Sequence, residues 1–297
     1  MRLYVIGREG QVARALREAA VDHPDMVVGC AGRPEVDILR PDLVEKALAA
    51  FSPDIVINPA AYTAVDRAES EPDLAFAFNR DGASNVSAAA ARMGVPIVHL
   101  STDYVFDGDK DGWYVETDAV APTGVYGLSK LAGEVAVAAA NDRHSILRTS
   151  WVYAPFGNNF VRTMLRLSAE RDRLTVVDDQ VGCPTYAPDI AAAIMTIARQ
   201  IGISGWQTQF AGVTHLAGPD EVTWYEFARK IMSLCEKQSG RHVAVDAIST
   251  AEYPAAAYRP ANSRLCCDRL ASIFGVRLPP LELSLERCLE RLLGVQH

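Results

Sequence analysis

Tyr126 and Lys130 stand four residues apart at the end of the stretch PIVHLSTDYVFDGDKDGWYVETDAVAPTGVYGLSK, residues 96–130. On a helix that spacing puts a phenol and an ammonium on one face, one above the other. A positioned ammonium favours phenolate over phenol, which makes Tyr126 a better proton donor to a nearby oxygen. Thr102 sits at the carboxyl end of the apolar run Ile97–Leu100, in the polar group Ser101, Thr102, Asp103 and Tyr104. Its hydroxyl offers a second hydrogen bond at the same place. A bare Tyr-x-x-x-Lys pair is more often a helix surface than a catalytic device, so the elements around it must decide.

Those elements alternate. Leu3–Ile6 reads as a buried strand, and Gly7, Arg8, Glu9, Gly10, Gln11, Val12 and Ala13 turn from it into a helix through about Ala20. A Gly-x-x-Gly turn between strand and helix lets backbone approach a diphosphate, whose charge suits the free N–H groups of the helix start. Ala13 takes the place of a third glycine, and the stretch is equally compatible with a plain tight turn. Met26–Cys30 reads as the next strand. No Asp or Glu follows it; the order is Gly29, Cys30, Ala31, Gly32, Arg33. A missing carboxylate favours NADPH over NADH, because Arg33 suits a 2'-phosphate that an acid would repel. Arg33 as a solvated loop residue is the plainer alternative.

A helix at Pro41–Phe51, a strand at Ile55–Asn58 and a long helix at Asp73–Met93 continue the rhythm. Asn79 is polar within that last helix, and either ties down a loop or faces water. Up to about Trp151 the alternation implies a parallel sheet covered on both faces, with ligands at the carboxyl ends of its strands. The fold class is α/β: a Rossmann-type doubly wound parallel sheet with a smaller α/β substrate-binding domain. Residues 1–150 form the dinucleotide-binding part, with returns at about 172–185 and 213–240. Residues 151–297 form most of the smaller part. There, Thr223 and Glu226 have capping-box spacing, 247–260 reads as ordered loop, and an amphipathic helix closes the chain at Leu281–Leu293.

The composition limits the partners. The chain has 297 residues, 22% of them charged, and a formal net charge of -8. That balance argues against a general binder of nucleic acid or anionic membrane. The six cysteines are scattered without a C-x-x-C pair, so neither a disulfide framework nor a structural zinc site is expected. No basic segment followed by a long apolar run opens the chain, and no apolar stretch reaches membrane-span length. The default expectation is a cytoplasmic protein.

A set of ordered matches sharpens the reading. They are the glycine turn at 7–13, NPAAYTAVDRAE at 58–69, STDYVFDG at 101–108, VYGLSKLAGE at 125–134 and RTSWVY at 148–153. GNNF at 157–160, DQVGCPT at 179–185, TWYEFA at 223–228 and RPANSRL at 259–265 follow. In this order they resemble the extended short-chain dehydrogenase/reductases, and among those the dTDP-4-dehydrorhamnose reductase family, over nearly the whole chain. The resemblance implies a catalytic trio of Thr102, Tyr126 and Lys130. It sets NADPH, with NADH as the alternative, against Gly7, Gly10, Gln11, Val12, Asp37, Ile38, Ala60, Ala61, Tyr62 and Lys130. It sets a dTDP-sugar against Val65, Asp66, Thr102, Asp103, Tyr104, Tyr126, Trp151 and Asn159, with Arg259 and Asn262 reaching in. By that likeness Trp151 is an apolar wall for a 6-deoxy ring and Arg259 a diphosphate clamp; core and surface ion pair are their plainer readings.

The chain departs from the family pattern at Ala13, at Pro59 and at Cys183. Some relatives bind magnesium between subunits through an acid where this chain has Ala15. Glu290 alone makes no such site, so no metal is expected, and monomer and homodimer both stay open. A reductase of a related 4-keto-6-deoxy nucleotide sugar, and a non-catalytic NADP-binding subunit, are the rival readings.

Overall fold

The structure, a computed structural model, describes residues 1–294. Six parallel strands form the central sheet: β1 (Arg2–Ile6), β2 (Val27–Ala31), β3 (Ile55–Asn58), β4 (Ile97–Thr102), β5 (His144–Thr149) and, much later in the chain, Gly212–His215. Their order across the sheet is β2-β1-β3-β4-β5 and then the Gly212–His215 strand. Strand order therefore reverses between β1 and β3, the place where doubly wound sheets open a ligand crevice.

Alternation along the strands separates two apolar layers. Leu3 and Val5 of β1 face one cluster with Leu16, Ile57, Val98 and Leu147. Tyr4 and Ile6 face another with Val44, Leu48, Val86 and Ile146. The helices α1 (Gln11–Ala19), α2 (Pro41–Phe51), α3 (Val65–Ala68), α4 (Pro72–Phe76), α5 (Ala83–Arg92) and α6 (Val125–Ala140) come from this first half. Between α4 and α5 the helix widens into π turns at Ala77–Gly82. The single long helix expected over 73–93 is thus one path with a bulge in it. π turns of this kind commonly sit at functional sites.

Beyond β5 come β6 (Val152–Tyr153), α7 (Phe160–Glu170), β7 (Arg173–Val177), β8 (Val181–Gly182), β9 (Thr185–Tyr186) and α8 (Ala187–Ser204). They are followed by β10 (Gly212–His215), β11 (Val222–Thr223), α9 (Trp224–Ser239), β12 (Ala244–Ile248), β13 (Asn262–Ser263), α10 (Asp268–Phe274) and α11 (Leu281–Leu293). The expected return to the central sheet at about 172–185 is not what happens there. β7 pairs in parallel with β12, which ends in the first residues of the stretch read as loop, and both lie outside the central sheet. The return is made by α8, whose Ile190, Ile194 and Ile197 join the core of Leu3 and Leu16, and by β10, which pairs with β5. α9 does not return either. Its Phe227 and Ile231 join Tyr153, Val161, Leu174, Leu285 and Leu289 in a second core. Apolar periodicity marks α8 and α9 equally as amphipathic, and carries no address for the core each one covers.

Candidate functional site

The carboxyl ends of β1 to β5 open into a cleft of about 770 Å³. The glycine turn lies on its floor. Gly7 has φ 126, a conformation that only glycine adopts at ease. A Cβ on Gly7 would meet the Ala13 side chain at 3.6 Å, ordinary contact distance, so alanine suits the place of the third glycine. Gly10 precedes α1 without a side-chain cap, and no acid stands in the first turn. The first N–H groups of α1 are therefore left for an anionic ligand. Gln11, Val12, Asp37, Ile38, Ala60 and Ala61 line the same cleft.

Arg33 lines it too, with its guanidinium 4.9 Å from the centre of the Phe78 ring. No carboxylate pairs with it among the described residues, whereas neighbouring Arg8 is paired with Glu35. Tyr62 is placed differently. Its hydroxyl donates to Glu71 at 2.5 Å and its backbone is clamped by Asn79, which accepts from the Tyr62 N–H and donates to the Tyr62 carbonyl. Asn79 also donates to Ser129 of α6 and is buried. Of the two readings open for Asn79, the loop tie is the one observed.

Thr102, Tyr126 and Lys130 converge at the end of β4. They are 5%, 9% and 2% exposed, so the trio is withdrawn from bulk water. α6 reaches the strand end closely because Gly127 faces it. A Cβ on Gly127 would stand 2.1 Å from the Tyr104 carbonyl oxygen. Tyr104 in turn meets Tyr126 edge to face at 5.4 Å between ring centres.

Burial pushes the Tyr126 phenol well above its usual range; Asp103 and Tyr104 add to the rise, and a hydrogen bond with Thr102 opposes it. Lys130 is not among the groups that move it. The ammonium instead donates to the Leu100 carbonyl at 2.6 Å, and burial pulls it down to about 8 against the opposing charge of Glu134. The Lys130 donor bond thus goes to the strand carbonyl, and burial is the largest influence on the phenol. A phenol held protonated in this way is a donor, not a base. Burial also raises Asp103, to about 6.

Behind Lys130 lies a buried strap. Arg148 of β5 grips Glu134 of α6 with two hydrogen bonds of 2.8 and 2.7 Å, and the Ser101 hydroxyl of β4 donates to the same carboxylate at 2.5 Å. Helix and strands are thereby locked one turn from the ammonium.

The other candidates divide. Val65, Asp103, Tyr104 and Trp151 line the cleft. Asp66 and Arg259 are paired at 2.6 Å, and Arg259 also donates to the Tyr104 hydroxyl at 3.2 Å, so this group sits beside the cleft through Tyr104. Asn159 does not line the cleft. Its carbonyl caps α7, and its amide donates to Gln11 and to the Ala154 carbonyl. Asn262 is also outside the lining. Its amide holds the carbonyls of Lys110 and Gly112, and its oxygen accepts from Arg264. In this arrangement the side chains of Asn159 and Asn262 are engaged in holding loops.

Sequence reasoning missed Arg8, Phe78, Ser150, Gly157 and Trp224, all of which line the cleft. Trp224 had a signal. It follows the capping residue Thr223, but capping spacing says nothing about where the aromatic points. No group of three or more His, Cys, Asp or Glu placed to hold a metal occurs among the described residues. No helix among them is long and apolar enough to cross a membrane.

A doubly wound sheet with a glycine turn after β1 and a threonine–tyrosine–lysine cluster after β4 defines an extended short-chain dehydrogenase/reductase. Known proteins narrow the class. A family model described as RmlD substrate binding domain matches residues 1–293, and the chain belongs to that family. A dTDP-4-dehydrorhamnose reductase of Sinorhizobium fredii is 51% identical over 99% of this chain and 98% of its own length. A crystal structure of a dTDP-4-dehydrorhamnose reductase from Clostridium acetobutylicum superposes with a TM-score of 0.90, at 35% identity, covering 99% of this chain and 100% of that one. The Bacillus anthracis enzyme of the same name, solved in complex with NADP, gives a TM-score of 0.87 at 37% identity, covering 97% of this chain and 98% of that one.

Proposed function

We infer that this chain is an NADPH-dependent reductase that converts the C4 ketone of dTDP-4-dehydro-beta-L-rhamnose to the alcohol of dTDP-beta-L-rhamnose. Its relatives carry that name, one of them with NADP bound. The observation that carries the reading for this chain's own residues is the convergence of Thr102, Tyr126 and Lys130 in the cleft that also holds the glycine turn.

The cleft fits a phosphorylated dinucleotide. Gly7 and Gly10 let backbone approach a diphosphate, the uncapped start of α1 receives its charge, and Arg33 without an acid beside it suits a 2'-phosphate. When bound, NADPH supplies the hydride. Lys130 holds ribose hydroxyls with its ammonium. Tyr126 gives its proton to the oxygen that becomes the alkoxide, and Thr102 hydrogen-bonds to the same oxygen. The depth of the cleft excludes water and strengthens each of these contacts. Trp151 forms the wall beside the sugar, and Arg259, now on Asp66, is the donor fork nearest a diphosphate. None of the six cysteines is in a disulfide, which suits a cytoplasmic setting.

The test is direct. Mixing the protein with the 4-keto sugar nucleotide and NADPH should consume cofactor, and proton NMR should show the rhamno configuration at C4. A talo product transfers the assignment to the epimeric reductase. No consumption with either cofactor leaves the non-catalytic reading standing.

A further inference from the structure

We propose that Trp224 is a specificity-determining residue, which holds Trp151 in place and completes an apolar panel that selects a 6-deoxy sugar ring. The inference rests on the reductase reading above and deepens it. Both indoles line the cleft, and they stack with ring centres 3.5 Å apart and planes 9° from parallel. Trp151 has φ 47, left-handed backbone that a bulky side chain adopts only where its surroundings hold it. Three contacts do so. The Trp224 ring covers one part of the indole. Gly182 leaves space for another, since a Cβ there would lie 2.4 Å from Trp151 Cε2. The Trp151 carbonyl accepts from the Thr185 N–H at 3.1 Å.

Trp224 is itself anchored. It opens α9 directly behind the Thr223 capping box, and the Thr223 hydroxyl donates to Asp178 at 2.6 Å. The Phe160 ring, tilted by 46°, lies 4.6 Å from it between ring centres. The two indoles therefore form a stiff apolar surface just beyond β5, next to the strand whose end carries Thr102. A ring bearing a methyl group loses nothing against such a surface. A ring with a hydroxymethyl group there leaves a hydroxyl without its water partner.

The experiment compares the parent protein with Trp224→Ala and Trp224→Phe, using NADPH and two dTDP-4-keto sugars, one 6-deoxy and one with its 6-hydroxyl. In Trp224→Ala the KM for the 6-deoxy substrate should rise about 10-fold, and the preference for it should fall by about as much. The KM for NADPH should stay unchanged, and Trp224→Phe should restore most of the loss. Unchanged substrate KM and preference in Trp224→Ala would overturn the proposal, as would an equal rise in the KM for NADPH. Emission of Trp151, left as the single indole when Trp113 and Trp206 are replaced with Phe in both Trp224 variants, reads the positioning without turnover. It should lie further to the red in Trp224→Ala than in Trp224→Phe, and equal emission in the two refutes the support of Trp151 by the ring at 224. If the parent protein reduces neither sugar, the reductase reading fails and takes the sugar preference with it, while the emission shift still decides the positioning.

Discussion

On the side of the cleft made by β1 to β4, Gly7, Arg33 and Ala60 each follow within two residues from the strand that carries them, and Thr102 is the last residue of β4. On the side beyond β5, Trp151, Gly182 and Trp224 come from three separated segments and meet through one ring stack and one absent Cβ. The first side inherits its geometry from the hydrogen-bonded register of a parallel sheet, which leaves little freedom at each strand end. The second depends on side-chain packing, and its polar residues are engaged by other parts of the chain. Asn159 caps a helix, Asn262 holds a loop, and Arg259 is paired with Asp66. On the proposed function, chemistry common to the fold lies on the rigid side, and the contacts proposed to distinguish one sugar from another lie on the side that packing can alter.

Three variants test that division. Tyr126→Phe removes only the proposed proton donor of the rigid side. Turnover should fall by about 10²–10⁴ while NADPH binding, followed by fluorescence titration, stays as it was. Retained turnover would mean that another group donates the proton.

Glu134→Gln breaks the strap behind Lys130. Loss of one partner from a buried ion pair costs about 3–5 kcal/mol, and urea denaturation at neutral pH should show it. The variant also has a pH signature. Burial holds the Lys130 ammonium at about 8, and the Glu134 charge pulls the other way. Without that charge the ammonium is lost at lower pH than in the parent protein, so cofactor affinity should begin to fall at lower pH as pH rises. A variant with the parent's stability and the parent's alkaline limb would remove the strap from the account.

Thr223→Ala is the mild counterpart on the packed side. Loss of the cap should cost about 1 kcal/mol in thermal unfolding. Hydrogen exchange should quicken at the start of α9 and stay unchanged in β1–β4. Faster exchange in β4 would show that the two sides are not independent.

The uneven legibility of the sequence follows the same line. The strands at Ile55–Asn58 and Ile97–Thr102 and the helices at Pro41–Phe51 and Leu281–Leu293 are readable because apolar spacing and flanking prolines mark them locally. The π turns at Ala77–Gly82 are not, since a single inserted residue leaves the apolar stripe nearly intact. Asn79 is legible as an oddity and not as a clamp on Tyr62. Its partner lies 17 residues away, at a distance only the fold closes. Lys130 shows the same limit in its chemistry. Spacing puts it on the face of Tyr126, but its donor bond goes to Leu100, and burial is the largest influence on the pKa of both groups.

By itself the sequence determined the alternating α/β order, the glycine turn, the threonine–tyrosine–lysine trio and the absence of an acid after β2, because each is written in neighbouring residues whose spacing has a direct conformational meaning. Tertiary structure alone decided that α8, and not β7 or α9, packs back against the central sheet, that Asn159 and Asn262 brace loops, and that Trp224 covers Trp151. Those outcomes depend on which apolar faces are left uncovered once the other elements have packed, and no local stretch of chain carries that information.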